Sequence, residues 1–144
     1  MNVIVIEDQI LFRELIVSVL RNDFDLNVLG EYDDGETGME ACLDDSPDLL
    51  VLDIKIKKLG GLTVFNHLKD RVPDMNIILV SAHFTPEIVK SSVEHGVNGL
   101  VTKNSSIESP KGAIGKSSKE RYTIARKLTT YSANLSPTRT TTTV

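Results

Sequence analysis

The chain has 144 residues, with 40% hydrophobic and 25% charged residues, as is ordinary for one globular domain with its own core. Its single cysteine, Cys42, excludes an intramolecular disulfide and favours a reducing cytoplasm. No apolar stretch reaches the roughly 18 residues of a membrane span. No basic N-terminal region precedes an apolar core, as a signal peptide would require. The sequence therefore predicts a cytoplasmic protein without membrane contact.

Charge is distributed unevenly along the chain. Residues 1–103 contain 18 acidic and 9 basic residues, for a net charge of −9, whereas residues 104–144 contain 2 acidic and 7 basic residues, for +5. The composition shifts toward Ser and Thr at the same place. The sequence thus predicts an acidic domain followed by a basic tail.

Apolar runs with the composition of β-strands alternate with amphipathic stretches over the first hundred residues. The apolar runs lie at 2–6, 26–30, 48–53, 76–81 and 98–102. This alternation predicts an α/β fold, a doubly wound five-stranded parallel sheet with helices on both faces.

Four helices are predicted between the strands. The first, from Gln9 to Asn22, repeats its apolar residues at helical spacing. The second opens at Asp34 and turns Met39, Cys42 and Leu43 inward. The third contains Leu62, Phe65 and Leu68. The fourth is capped by Thr85 and ends at Gly96.

Acidic residues follow two of the predicted strands directly. Glu7 and Asp8 follow the first strand, and Asp53 ends the third. The carboxyl ends of parallel strands meet at one edge, where ligands bind in such sheets. Three carboxylates there repel one another by roughly 4 kcal/mol per pair at about 4 Å and an effective dielectric constant of about 20. An all-oxygen cluster of this kind suits Mg²⁺.

Five short motifs resemble those of the receiver domain of two-component response regulators. They are Ile6-Glu7-Asp8, Leu52-Asp53-Ile54-Lys55, Gly61, Val80-Ser81-Ala82 and Val101-Thr102-Lys103. The resemblance covers residues 1 to about 118 and implies a flavodoxin-like, receiver-type fold. It implies a protein that takes a phosphoryl group from a sensor histidine kinase, forms a homodimer on phosphorylation and controls transcription.

The resemblance also implies a role for each site residue. Asp53 matches the phospho-acceptor, Ser81 the hydroxyl that bonds the phosphoryl group, and Lys103 the family's lysine. Glu7 and Asp8 match the acidic pair that holds Mg²⁺ together with Asp53, and the backbone carbonyl of Lys55 completes the metal site. Such a chain is no enzyme beyond phosphorylating and dephosphorylating its own aspartate.

Four positions depart from the family pattern. The loop after Asp53 has Ile56 and Lys57 where Met-Pro is usual, which predicts a looser loop with exposed lysines. Leu100 stands where an aromatic switch residue is common, and Asn104 where Pro is common. These departures leave open a second hypothesis, a degenerate receiver that acts as an unphosphorylated protein-interaction module.

The tail resembles the continuation of NarL/LuxR-type regulators. Residues 119–134 are predicted as a linker helix, and residues 135–144 as a disordered tail that matches the start of a helix-turn-helix domain. We expect contact with DNA only through such a domain, which this chain lacks.

Two other functions fit the sequence less well. An aspartate-nucleophile phosphatase of the haloacid dehalogenase type needs an acid two residues after the nucleophile, where this chain has Lys55. A nucleotide-binding domain needs a glycine-rich loop after the first strand, where this chain has Glu7 and Asp8.

Overall fold

The computed structural model describes residues 1–22 and 25–103, apart from the side chain of Val19. Within these residues, strands and helices alternate along the chain. The strands are β1 (Asn2–Ile6), β2 (Asn27–Tyr32), β3 (Leu49–Asp53), β4 (Asn76–Ser81) and β5 (Gly99–Thr102), and the helices are α1 (Ile10–Asn22), α2 (Gly35–Asp45), α3 (Gly61–Arg71) and α4 (Pro86–Glu94). The strands form one parallel sheet in the order β2-β1-β3-β4-β5, which confirms the predicted fold class.

The central and edge strands differ in burial. All five residues of β3 are buried, because neighbouring strands flank it and side chains cover both its faces. The edge strand β2 alternates exposed and half-buried residues. It also extends to Tyr32, two residues beyond the predicted end. The sequence Gly30-Glu31-Tyr32 lacks the apolar run that marks an inner strand, so the prediction ended too early.

Two apolar cores lie on opposite faces of the sheet. Helix α1 packs against one face with four buried residues, Phe12, Ile16, Val17 and Leu20. Helices α2 and α3 contribute Cys42, Val64, Phe65 and Leu68 to the other core. Leu43 was predicted to face inward but is 36% exposed, because it lies one position past Cys42 on the helix.

Two helices begin where their caps predict. The Asp34 carboxylate accepts a hydrogen bond from the Thr37 N–H at 2.8 Å, and the Thr85 hydroxyl accepts one from the Ile88 N–H at 3.2 Å. Helix α4 ends at Glu94, and Gly96 follows with a φ of 85°. This left-handed conformation suits glycine, as predicted for the helix stop.

The described residues include most of the predicted first domain. The predicted linker helix at 119–134, the predicted tail at 135–144 and Asn104 lie outside them. None of the helices in the described part of the chain has the length and apolar character to cross a membrane.

Candidate functional site

Three carboxylates meet at the carboxyl edge of the sheet. Strands β1 and β3 pair with Ile6 opposite Leu52, so the residues that follow, Glu7 and Asp53, lie side by side. One oxygen from each of these residues and one from Asp8 lie within 4.8 Å of one another. Glu7 is 1% exposed and Asp53 3%, so two of the three acids are removed from water.

The Lys103 side chain links two of these acids. Its ammonium donates hydrogen bonds to Glu7 Oε2 at 2.9 Å, Asp53 Oδ2 at 3.1 Å and Gln9 Oε1 at 2.8 Å. It also lies 2.8 Å from Glu7 Oε1, without the alignment of a hydrogen bond. The Lys103 N–H donates to the Ser81 carbonyl at 2.8 Å, which anchors the base of the side chain at the same edge.

Burial makes Glu7 an unusual carboxyl group. Removal from water raises its pKa from 4.5 to about 8, against the opposing effect of the Lys103 hydrogen bond. The neighbouring Asp53 carboxylate raises the pKa further, and the Gln9 N–H, which donates to Glu7 Oε2 at 3.0 Å, lowers it. Because the folded protein binds this proton more tightly than an unfolded chain does, Glu7 destabilises the fold as it loses the proton.

We expect the stability contribution of Glu7 to be fully present below pH 4.5 and to be lost as pH rises toward about 8. Chemical denaturation of metal-free protein across this range measures it, with Glu7→Gln as the control that cannot titrate. The difference in unfolding free energy between the two proteins should change steadily over that window, in favour of the variant at high pH. A constant difference would contradict the raised pKa.

The loop after Asp53 is held in place although it lacks proline. The Lys55 N–H donates to Asp53 Oδ1 at 3.1 Å, and the Gly61 N–H donates to the Ile54 carbonyl at 2.8 Å. Ile56 is 7% exposed and joins the core. These contacts hold the loop to Asp53 and to the core, and the looser loop that the sequence predicts stays a prediction.

This loop also contacts the start of α2. The Gly35 N–H donates to the Lys57 carbonyl at 3.0 Å, and the Lys57 ammonium lies 4.0 Å from Asp33 Oδ2. Lys55, Lys57 and Lys58 are exposed, as the sequence predicts for a solvated loop. The β3–α3 loop is thus fixed both to Asp53 and to a neighbouring helix.

Ser81 lies at the end of β4, beside the strand that ends in Asp53. Its hydroxyl donates to the His83 carbonyl at 2.9 Å and accepts from the His83 N–H at 3.2 Å. The structure therefore brings Glu7, Asp8, Asp53 and Lys103 together, while the Ser81 hydroxyl is bonded to its own loop.

Three residues at the start of α1 contact this cluster without having been predicted to do so. Gln9 bonds the Lys103 ammonium, which also lies 5.1 Å from the centre of the Phe12 ring. Arg13 Nη1 donates to the Glu7 carbonyl at 2.8 Å. In the sequence, the one indication that Gln9 lies at this cluster is its position next to Glu7 and Asp8. Phe12 belongs to the apolar core beneath α1 and is buried there.

The acidic cluster has the donor set of a magnesium site. Its groups are carboxylates, and Glu7 Oε1 is buried without a hydrogen-bond donor aligned to it. Mg²⁺ prefers oxygen ligands and neutralises such clusters. Oxygen atoms within 4.8 Å of one another are close enough to share one cation. These residues therefore fit a divalent cation.

The fold and the site define a class of protein, an open α/β domain with an acidic pocket and a lysine at the carboxyl edge of its sheet. The sequence model for the response regulator receiver domain matches residues 3–114. The chain belongs to this family. Receiver domains of two-component systems interact with histidine kinases and bind Mg²⁺ at an acidic pocket. The structure of this chain has an acidic cluster of Glu7, Asp8 and Asp53 at the carboxyl edge of the sheet.

The relatives place the chain near regulators of the NarL/LuxR type. It is 31% identical over 127 residues to the transcriptional regulatory protein NarL of Mycobacterium tuberculosis. This alignment covers 88% of this chain and 59% of NarL. The receiver domain of that NarL has a solved structure that matches with a TM-score of 0.68 and 29% identity, over 85% of this chain and 90% of the domain.

A second solved structure supports the fold alone. The response regulator domain of CheB from Thermotoga maritima matches with a TM-score of 0.75 but 20% identity, over 95% of this chain and 96% of that one. The chain spans between 43% and 59% of the length of the first curated relatives it matches. What those whole proteins do therefore does not carry over directly to this chain.

Proposed function

We propose that this chain is a phospho-accepting receiver in which Asp53 takes a phosphoryl group from a sensor histidine kinase. The observation that carries the proposal is the pairing of Asp53 with Lys103 inside a cluster of acids. A buried carboxylate with a cation at 3.1 Å, next to two further carboxylates, has the groups that a phosphoryl acceptor needs.

In the proposed reaction, an Asp53 oxygen forms a bond to phosphorus as the phosphorus–nitrogen bond of the phosphohistidine breaks. The leaving imidazole nitrogen takes a proton when it is released into solution. Lys103 neutralises negative charge on the phosphoryl oxygens, and its hydrogen bonds to neighbouring groups keep it near the acceptor. The Lys55 N–H holds Asp53 Oδ1 and so fixes the orientation of the carboxylate.

Glu7, Asp8 and Asp53 would hold Mg²⁺, and the backbone carbonyl of Lys55 remains a proposed fourth protein ligand. When bound, the cation would neutralise phosphoryl charge and help to orient the phosphoryl group. Glu7 must release its proton to act as a ligand, because its pKa is raised to about 8.

Phosphorylation would then act on Ser81. A phosphoryl group adds a charge of about −1.5 to −2 and strong hydrogen-bond acceptors. We propose that the Ser81 hydroxyl leaves the His83 carbonyl and donates to the phosphoryl group, drawing the β4–α4 loop toward Asp53. With Leu100 half-buried in place of an aromatic residue, the switch would depend on this loop.

The location, the dimerisation and the cellular role of the protein are also proposals. We propose a cytoplasmic protein that forms a homodimer on phosphorylation and takes part in transcription control, as the name of its relative NarL suggests. DNA contact would belong to a separate domain. The only reactions expected of the receiver are phosphorylation and dephosphorylation of Asp53.

The proposal predicts phosphorylation of the protein by acetyl phosphate in the presence of Mg²⁺. Intact-mass spectrometry should show one added phosphoryl group, which should be absent with EDTA and absent in Asp53→Asn. Asp45→Asn is the matched control, since Asp45 is an exposed aspartate at the end of α2. A protein that remains unmodified, or modification that persists in Asp53→Asn, would contradict the proposal.

A further inference from the structure

Gln9 is bonded to both members of the buried Glu7–Lys103 pair. Its backbone N–H donates to Glu7 Oε2 at 3.0 Å, and its side-chain oxygen accepts from the Lys103 ammonium at 2.8 Å. Lys103 in turn donates to Glu7 Oε2 at 2.9 Å. These three hydrogen bonds form a closed ring, and only one of them depends on the Gln9 side chain.

The Lys103 ammonium has three N–H donors and three hydrogen-bonded acceptors. Glu7, Gln9 and Asp53 each accept one hydrogen bond from it. Two of these acceptors, Glu7 and Asp53, are acidic, and both would gain a new bonding partner during phosphoryl transfer. In the proposed reaction, Asp53 would become an acyl phosphate and Glu7 would bind the cation. Gln9 is the neutral acceptor, unaltered by either event.

We propose that Gln9 is a positioning residue that keeps the Lys103 ammonium at the acceptor while Asp53 and Glu7 change partners. A flexible lysine loses side-chain entropy when it is fixed, so each hydrogen bond that fixes it raises the fraction of molecules with the ammonium in place. Without the Gln9 oxygen, the ammonium depends on acidic groups that are engaged elsewhere during phosphoryl transfer. This inference rests on the proposed function of Asp53.

Two substitutions separate the side-chain oxygen from the bulk of the residue. Gln9→Met keeps the length of the side chain and removes the acceptor, whereas Gln9→Glu keeps an acceptor oxygen at the same reach. Both preserve the backbone N–H that bonds Glu7. Because Gln9 is exposed, neither substitution should disturb the core. Ile10→Met is the matched control, since Ile10 is 61% exposed at the next position.

The first measurement is the rate of phosphorylation of the full chain by acetyl phosphate with Mg²⁺. We expect Gln9→Met to be slower by roughly threefold to tenfold, since one hydrogen bond to a charged group is lost at a partly exposed site. Gln9→Glu should recover most of the rate, and Ile10→Met should match the parent protein. Equal rates for Gln9→Met and the parent would overturn the proposal.

The second measurement observes Lys103 itself, by nitrogen-15 NMR of the lysine ammonium groups without a phosphoryl donor. The parent protein should show a slowly exchanging Lys103 ammonium signal, absent in Lys103→Met. The signal should broaden or vanish in Gln9→Met and return in Gln9→Glu. An unchanged signal in Gln9→Met would overturn the positioning role.

Together the two measurements distinguish this inference from the proposed function. If the parent protein is never phosphorylated but the Lys103 signal depends on Gln9, the function of Asp53 fails and the positioning of Lys103 stands. If the parent is phosphorylated and Gln9→Met changes neither the rate nor the signal, the function stands and the positioning role fails.

Discussion

Replacing Lys103 with methionine is expected to lower the phosphorylation rate about a hundredfold, as loss of a preorganised donor to developing negative charge does elsewhere. The Lys103 ammonium is the cation that contacts Asp53 among the described residues, at 3.1 Å, and its side chain is 10% exposed. Methionine preserves the approximate length and the packing against Phe12 but cannot neutralise the phosphoryl oxygens. Time courses with acetyl phosphate and Mg²⁺ measure the effect.

The same substitution should also destabilise the metal-free protein in a pH-dependent way. It leaves Glu7 and Asp53 buried together without their cation, and removal of one partner from a buried ion pair typically costs about 3–5 kcal/mol. We expect a loss of about 3 kcal/mol in unfolding free energy at high pH, where Glu7 of the parent protein is ionised and paired with Lys103. The loss should shrink toward pH 5 or so, as Glu7 takes up its proton.

Two further variants test the cause of this destabilisation. Lys90→Met removes an exposed lysine on α4 and should change neither stability nor phosphorylation rate. Adding Glu7→Gln to Lys103→Met removes the unpaired buried charge, so it should restore much of the stability without restoring phosphorylation. A Lys103→Met protein as stable as its parent at every pH would contradict the interpretation of the buried pair.

Gly61→Ala is expected to cost about 3 kcal/mol in unfolding free energy and to impair the acceptor site. A Cβ at Gly61 would meet the Asp53 carbonyl oxygen and would lie 2.6 Å from Ile54 Cα, both backbone atoms. Backbone on the segment that carries Asp53 must therefore move to admit one methyl group. Thermal or chemical denaturation measures the loss, and the phosphorylation rate reports the displacement of Asp53.

The neighbouring glycine is the control for Gly61→Ala. A Cβ at Gly60 would meet no atom within 4 Å, and its φ of −55° is accessible to alanine. Gly60→Ala should therefore change stability by less than about 1 kcal/mol. Similar losses for the two variants would show that the close approach of Gly61 to the Asp53 strand does not control stability.

The sequence was sufficient to predict the sheet and the acids at its edge. A buried parallel strand has a nearly continuous apolar sequence, so β1 and β3 were recognisable, and the residue that follows each strand lies at the ligand-binding edge. Asp53 and Glu7 could be placed there without any knowledge of side-chain conformation. The β2 boundary was missed because an edge strand carries polar residues along its length.

Side-chain direction and loop contacts were beyond sequence reasoning. The bond of the Ser81 hydroxyl to His83 depends on the conformation of the β4–α4 loop, which no local pattern specifies. One constraint on the β3–α3 loop comes from Gly35, a residue of another helix. Gln9 was overlooked because its partner, Lys103, is 94 residues away in the chain.

The proposed function requires Asp53 to be the phosphoryl acceptor, and chemical trapping tests this directly. Borohydride reduces an aspartyl phosphate to homoserine, which peptide mass spectrometry locates in the sequence. After treatment with acetyl phosphate and Mg²⁺, we expect homoserine at position 53 and at no other aspartate. Homoserine at Asp8 instead, or none at any position in protein that has gained a phosphoryl group, would contradict it.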